Sequence, residues 1–337
     1  MLTVSNLTVC YGSTRVVDKL DLVLGANEIL MLVGPTGCGK TTILQALAGL
    51  VPISEGRISM AGWQAAPTSP VAPEKRNVGM VFQDFALFPH LSVEQNVGFR
   101  LKDTRPVDHW LDLLGLENFR KAKPATLSGG QKQRVALART LAHQPGFVLL
   151  DEPLSNLDAA LKDRLRWDIR QALKSAGVPA IWVTHDQQEA LSVGDRVGIL
   201  NRGVLAQLDT PEVCFTAPAN HFVARFLGEA DFLPGVLKGE RVETVIGAAA
   251  ATPVNGAAGE VDLLVRPDDL VLTTAADAQA NGAVTWARYE GGTRLCAVAL
   301  DAGPNLHVRV GHEVCVEPGQ RVQLELVSGE SLAALAR

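Results

Sequence analysis

The stretch Gly34-Pro35-Thr36-Gly37-Cys38-Gly39-Lys40-Thr41-Thr42 constrains this chain more than any other. An apolar run, Ile29-Leu30-Met31-Leu32-Val33, precedes it, and Ile43-Leu44-Gln45-Ala46-Leu47-Ala48, with helical spacing, follows. Strand, glycine-rich turn and helix, in that order, is the setting in which G-x-x-x-x-G-K-[ST] carries meaning. The glycines let successive backbone N–H groups turn inward. The following helix adds its own unpaired N–H groups and the positive end of its dipole. From there Lys40 can reach the outer phosphates of a nucleotide, and the Thr41 hydroxyl can ligate Mg2+. A chance glycine turn beside a surface lysine would need neither the strand nor the helix. The segment predicts a nucleoside triphosphate site.

Further residues fall where such a site needs them. Apolar runs read as buried strands end at Gln83 (after Val78–Phe82), at Asp151 and Glu152 (after Phe147–Leu150), and at His185 (after Ala180–Thr184). In an open α/β sheet, ligands lie at the carboxyl edge, so these side chains can converge on the phosphates. Of the adjacent acids, one can hold Mg2+ and the other can polarise an attacking water. A glutamine at a strand end is common, and a lone histidine is more often structural than catalytic. Leu127-Ser128-Gly129-Gly130-Gln131 opens a helix and makes a second phosphate-friendly start. A plain serine cap explains Ser128 but leaves the paired glycines and Gln131 unaccounted for. The Ser155-Asn156-Leu157-Asp158 turn opens the next helix. Tyr11 sits in a turn ahead of the site and is either a base-stacking ring or a strand-end packing residue. Cys38 reads as a small side chain that the loop accommodates, with a redox switch as the rival.

Organisation follows from pattern. The first residues alternate as short antiparallel strands about a turn at Tyr11-Gly12-Ser13, and Val197–Leu200 and Val204–Ala206 form a hairpin about Asn201-Arg202-Gly203. From Ser92, with Gln95 three residues on, a helical region runs to about Lys121, broken by Pro106. Phe85 to Leu91 carries apolar side chains with no period, which suits either a contact patch or a loop packed on its own protein. Near residue 230 the pattern changes to evenly spaced short strands, as in a small β-barrel, with residues 247–259 read as a flexible loop. A chain of 337 residues suits two such domains.

Composition excludes several classes. With 31 basic against 36 acidic residues, a net charge of −5 argues against non-specific nucleic-acid binding. No run reaches the length that spans a bilayer, and the first residues do not read as a signal peptide. The five cysteines are scattered without C-x-x-C spacing, which suits reduced thiols in the cytoplasm and neither a disulfide framework nor a zinc site.

Together these residues resemble the nucleotide-binding subunit of an ATP-binding cassette (ABC) transporter, over nearly the whole chain. The phosphate loop at Gly34–Thr42, Gln83, the signature Leu127–Gln131, Asp151-Glu152, the Ser155–Asp158 turn and His185 follow that family's order and spacing. The resemblance implies an α/β fold: a P-loop cassette over residues 1–230, with a RecA-like core, an antiparallel β subdomain and a helical subdomain at about 84–145. A C-terminal OB-like, transport-associated β-barrel over 231–337 would follow. It implies that Tyr11 stacks on adenine and that Gly34 to Thr42 hold the ATP phosphates. Thr41, Gln83 and Asp151 would ligate Mg2+, Glu152 would act as base, and His185 would contact the γ-phosphate. Ser128, Gly129, Gly130 and Gln131 would close on the ATP held by a second copy, so the working unit would be a homodimer. The same resemblance implies a permease contact through Phe85–Leu91, an indirect link to a periplasmic solute-binding protein, and a peripheral position on the cytoplasmic face of the inner membrane. Asp231-Phe232-Leu233-Pro234-Gly235 and Val265-Arg266-Pro267-Asp268-Asp269 resemble the barrel of importers for sugars, polyamines, sulfate and ferric iron. The phrase Phe226–Leu233 is most similar to the ferric-iron type. One departure is Thr126, where these importers usually carry an acidic residue; it touches no catalytic role and bears on contacts to the membrane partner. A soluble cassette ATPase of DNA repair or the ribosome is the rival, but it would carry a long insertion or two cassettes. A P-loop kinase would leave Leu127–Gln131 without purpose.

Overall fold

The structure, a computed structural model, describes residues 1–337 apart from Asn156, residues 275–278, Ser328 and Glu330. It divides into two compact units, Met1–Pro211 and Glu212–Arg337.

In the first unit, β1 (Leu2–Tyr11) and β2 (Thr14–Leu24) form one long hairpin where the sequence pattern suggests several short strands. Register shifts after Val4, Leu7 and Val9 reset the in–out alternation along β1, so the pattern looks broken although the strand continues. β3 (Ile29–Val33) is buried at every residue, as expected of a strand with both faces covered. It feeds the phosphate loop and α1 (Lys40–Ala48). β4 (Glu55–Met60) and β5 (Trp63–Ala65) complete an antiparallel sheet of order β2-β1-β4-β5.

After β6 (Val78–Val81) come the helical elements α2 (Val93–Val97), α3 (Arg105–Leu113) and α4 (Gly129–Ala142). Ser92 caps α2 in a reciprocal capping box with Gln95, as its spacing predicts. Pro106 does not break a helix; it lies in the first turn of α3, where a missing N–H removes no helical bond. β7 (Phe147–Asp151), α5 (Ala159–Ala176), β8 (Ala180–Thr184), α6 (Gln187–Val193), β9 (Arg196–Asn201) and β10 (Val204–Asp209) follow. The second sheet runs β10-β9-β3-β8-β7-β6, and only the β9–β10 hairpin is antiparallel. The carboxyl ends of β3, β8, β7 and β6 therefore open on one edge. Leu7, Leu20, Leu30, Leu44, Phe147 and Ile181 belong to one core that joins both sheets across α1.

Asp195, between α6 and β9, fastens the cassette at its lower end. Its carboxylate accepts the Ile29 N–H (2.8 Å), Lys174 Nζ (2.6 Å) and Arg170 Nη2 (3.0 Å). Burial opposes the charge, but the bonds from Lys174, Ile29 and Arg170 outweigh it and hold the carboxyl below the usual carboxylate range. A depressed folded pKa adds stability that is present above the unfolded value, about 3.9, and lost as pH falls through the folded one. Asp195→Ala is therefore expected to cost about 1.5–3 kcal/mol at pH 7, the range for hydrogen bonds to charged groups. Urea midpoints measured from pH 7 down to pH 3 should show the gap to wild type narrowing below about pH 4. A gap independent of pH would contradict this account of Asp195.

The second unit begins with α7 (Pro211–Thr216) and α8 (His221–Phe226), which carry on from the last residue of the first. The domain boundary expected near residue 230 thus falls earlier. The reason is side-chain bonding: Arg266 donates to the Phe215 carbonyl (2.9 Å), Asn255 to the Ala219 carbonyl (2.8 Å), and His221 pairs with Asp262 (3.0 Å). Strands β11 (Asp231–Lys238), β12 (Arg241–Thr244), β13 (Gly247–Pro253) and β14 (Gly259–Val265) come next. β15 (Leu270–Thr274), β16 (Gly282–Tyr289), β17 (Thr293–Leu300), β18 (Asn305–Gly311), β19 (Arg321–Leu326) and β20 (Leu332–Ala336) complete the unit. A closed barrel runs β11-β12-β13-β20-β14, and the other five strands form a sheet, β15-β19-β16-β17-β18. The expected flexible loop at 247–259 is a correction: 247–253 are β13, paired with β12 and β20. Ala249 and Ala251 point inward and their neighbours outward, an alternation hidden because alanine carries little strand signal.

Candidate active site

The phosphate loop leaves β3 at Gly34, where a Cβ would lie 2.3 Å from the Leu200 carbonyl oxygen. Gly39, at φ 102°, ends the loop as the N-cap of α1, and a Cβ there would lie 2.8 Å from the Val16 carbonyl. No side chain caps α1, unlike α2, α4 and α6, so its first-turn N–H groups are left to the loop. Pro35, Thr36 and Gly37 form an exposed rim, with Thr41 exposed and Thr42 half-buried behind it. Lys40 is only 6% exposed: its ammonium donates to the carbonyls of Gly34 (2.8 Å) and Pro35 (3.1 Å). The loop thus folds its own carbonyls around the ammonium, beside a helix start of the kind that favours anions. Cys38 lies beside them, its Sγ 3.8 Å from Lys40 Nζ. Burial pushes its thiol up despite the neighbouring ammonium, so it fills space as a protonated thiol rather than as a reactive thiolate.

The two adjacent acids diverge. Asp151, last residue of β7, faces Thr41, whose hydroxyl donates to Oδ1 at 3.2 Å. Burial raises its carboxyl, with the charge of Glu152 adding and the Thr41 bond and Lys40 charge opposing. Glu152 turns away at φ 44°, a left-handed conformation uncommon for this residue type. It is held there on both sides: its N–H donates to the Val183 carbonyl (3.0 Å), and its own carbonyl accepts from Ser155 N–H (3.2 Å) and Oγ (3.0 Å). The turn aims the Glu152 carboxylate at His185, Oε2 to Nδ1 3.1 Å. Gln83 lies exposed past the end of β6 on the same sheet edge. Tyr11, at the tip of the first hairpin, is 49% exposed and so is not a packed strand end.

The signature segment is built differently. Ser128 Oγ accepts the Gln131 N–H (3.3 Å), and Gln131 Oε1 accepts the Ser128 N–H (2.8 Å). This capping box accounts for the glutamine that a serine cap alone did not. A Cβ on Gly129 would lie 2.6 Å from Leu157, and one on Gly130 would lie 3.0 Å from Leu161 and from Leu165. The glycines therefore let α4 approach the 157 turn and α5 closely. The reciprocal bonds of Ser128 and Gln131 stay within the signature segment, and those of Lys40 within the phosphate loop. Asn156 of the Ser155–Asp158 turn lies outside the described residues.

Phe85 to Leu91 is fixed from beneath. Arg139 of α4 donates to the carbonyls of Ala86 (2.8 Å) and Phe85 (3.2 Å), and buried Asn96 holds Phe88 at both N–H and carbonyl. Phe88 packs on Phe99, ring centres 4.2 Å apart. A groove of about 660 Å³ runs alongside, lined in part by Phe82, Ala86, Phe88 and Arg139. The segment is at once a loop packed on its own protein and one wall of an open groove. Sequence reasoning missed Asp186, which caps α6 beside His185. The Asp186-x-x-Glu189 spacing ahead of a helix was the available signal.

Residues 17–155 match the ABC transporter family model, and 263–331 match the TOBE domain. The spermidine/putrescine import ATP-binding protein PotA of Pseudomonas fluorescens is 42% identical, over 78% of this chain and 76% of that protein. The sulfate/thiosulfate import ATP-binding protein CysA 2 of Chromobacterium violaceum is 41% identical, over 80% and 75%. The Fe(3+) ions import ATP-binding protein FbpC of Rhizobium etli is 39% identical, over 90% and 88%. Among solved structures, cbiO1 from Clostridium perfringens, part of the ABC transporter complex cbiONQ, superposes with a TM-score of 0.56 at 28% identity, covering 63% of this chain and 88% of that one. The ATP-binding cassette MJ0796, in a dimeric post-hydrolysis state bound to ADP and Pi, gives 0.54 at 27%, covering 63% and 99%. Likeness of this degree, running through both the cassette and much of the second unit, means that the chain belongs to the ATP-binding, ATP-hydrolysing subunits of ABC importers.

Proposed function

We propose that the chain powers solute uptake as a pair of copies, each ATP held between the phosphate loop of one copy and Ser128–Gln131 of the other. One observation carries this: a single chain builds two phosphate-friendly helix starts, at 34–42 and 128–131, as separate elements. The dimeric, post-hydrolysis state in which MJ0796 is described, bound to ADP and Pi, supports the pairing of two copies. In this reading Lys40 and the N–H groups of α1 bind the phosphates, and Tyr11 stacks on adenine. Glu152 takes the proton of the attacking water, and His185 contacts the γ-phosphate. Thr41 and Asp151 bring two oxygen donors together and fit Mg2+, with Gln83 as the third ligand; the ion would neutralise charge on the outer phosphates.

The partner in the membrane would be a permease docking at Phe85–Leu91, with a periplasmic binding protein reached only through it. This places the chain on the cytoplasmic face as a peripheral subunit. Among the described residues no helix is long and apolar enough to cross a membrane. Acidic replacements at Phe85 and Leu87 are expected to abolish uptake in cells while ATP binding by the purified chain stays intact. Undiminished uptake would leave a soluble ATPase instead. For the solute we infer ferric iron, from the phrase Phe226–Leu233 and the short second unit. The relatives named for polyamine, sulfate and ferric ion import stand at 42%, 41% and 39% identity, so identity does not choose among them. Uptake of radiolabelled ferric ion, spermidine and sulfate by a strain lacking this chain decides: loss of ferric uptake alone supports the inference, and loss of another overturns it.

A further inference from the structure

Next to His185 lies a partly buried ionic link, between Asp186 and Arg166. Asp186, the next residue, engages both carboxylate oxygens. Oδ1 accepts the N–H groups of Gln188 (2.8 Å) and Glu189 (3.2 Å) at the start of α6, and Oδ2 accepts from Arg166 Nη2 (3.1 Å). The Asp186 N–H donates to Thr184 Oγ1 at 3.0 Å, in the buried end of β8. Arg166 comes from α5. It is 8% exposed, its Nη1 donates to Asp163 (2.7 Å), and its Nε is buried without a partner.

Removing a guanidinium from water to this extent is costly, and leaving one of its N–H groups unpaired adds to the cost. Helix capping does not explain it, because Oδ1 alone already caps α6. What Arg166 adds is a connection. α5 follows directly on the turn that leads from Glu152, and α6 follows directly on His185. The Arg166–Asp186 bond therefore ties the helix that follows the Glu152 turn to the start of the helix that follows His185, and the side chains of Glu152 and His185 meet at 3.1 Å. Glu189, 2% exposed on α6, completes the packing: burial pushes its carboxyl above the usual range, Asp186 adds to that, and Thr184, Arg166 and Lys162 oppose it.

We propose that Arg166 is a positioning residue for ATP hydrolysis, acting through Asp186 to hold the His185 imidazole in place against Glu152. The proposal rests on the reading of His185 as the γ-phosphate contact. Arginine suits the task because its fork reaches Asp163 and Asp186 at once, whereas lysine offers a single point charge.

Steady-state and single-turnover ATPase rates of the full chain test it. Arg166→Ala and Asp186→Asn are each expected to lower kcat about 10–100-fold, the scale of a small misplacement of catalytic groups. KM for ATP should stay within about twofold, since ground-state binding is untouched. Asp186→Asn keeps an acceptor for the α6 cap, so it remains informative if Arg166→Ala folds poorly. Arg166→Lys should recover part of the rate, and the double variant should be no slower than the slower single, as for two residues acting as one unit. In a His185→Ala background, Arg166→Ala should cause no further loss. The proposal is overturned if His185→Ala is inactive while Arg166→Ala and Asp186→Asn turn over normally. Losses that multiply in the His185→Ala background also overturn it, since they mark general loss of packing. His185→Ala turning over at the normal rate is a different failure: it removes the reading of His185 itself, and shows in that single variant without any change at Arg166.

Discussion

Glu152→Gln is expected to lower ATP hydrolysis by about 10²–10⁴-fold, the usual contribution of a positioned general base. The substitution keeps the shape of the side chain and an oxygen toward His185, but removes the basic charge. The backbone clamp on Glu152, from Val183 and Ser155, does not involve the carboxylate, so the turn at φ 44° should persist. A group that acts on the attacking water matters in the transition state and little in the ground state. Binding of ATP should therefore survive, and removing one negative charge beside Asp151 should favour the triphosphate. Single-turnover hydrolysis and titration with a fluorescent nucleotide measure the two separately. Normal hydrolysis would remove Glu152 from the base role.

Lys40→Ala, by contrast, should lose binding and hydrolysis together. The Lys40 ammonium is nearly buried and, among the described residues, bonded within its own loop to the Gly34 and Pro35 carbonyls, with Cys38 at the edge of contact. Exchanging those carbonyls for phosphate oxygens replaces neutral acceptors with charged ones, and hydrogen bonds between charged groups contribute about 1.5–3 kcal/mol each. Two such bonds place the expected weakening of ATP binding at about 100-fold or more. Calorimetric titration of the variant checks it. ATP bound as tightly as by wild type would mean that the ammonium stays with its own loop, and that the backbone N–H groups alone hold the phosphates.

Much of this site is legible in the sequence because its strands are. β3, β7 and β8 are uninterrupted apolar runs ended by a functional residue, so strand and edge can be located without any contact information. The divergence of Asp151 and Glu152 follows from their adjacency at a strand end. What escapes the pattern depends on distant partners. β11 contains Pro234 and Gly235, which argue against a strand until the barrel supplies an antiparallel partner in β14. β13 escapes because its inward residues are alanines, too small to mark a period. The boundary between units is displaced because Arg266, Asn255 and Asp262 reach back to α7, α8 and the link between them, and no local signal announces such bonds. The Arg166–Asp186 link is hidden for the same reason: it exists only once α5 and α6 pack.

The shared site is the central claim, and size-exclusion chromatography with ATP and Mg2+ tests it most directly. If each ATP lies between Lys40 of one copy and Ser128 of the other, slow hydrolysis in Glu152→Gln should trap the closed pair. An arginine at Ser128 would project a bulky cation from the helix start and break the capping box with Gln131, preventing closure. The account predicts a dimer for Glu152→Gln in ATP, and a monomer for Glu152→Gln combined with Ser128→Arg under the same conditions. A dimer of equal stability in both, or in neither, would contradict it.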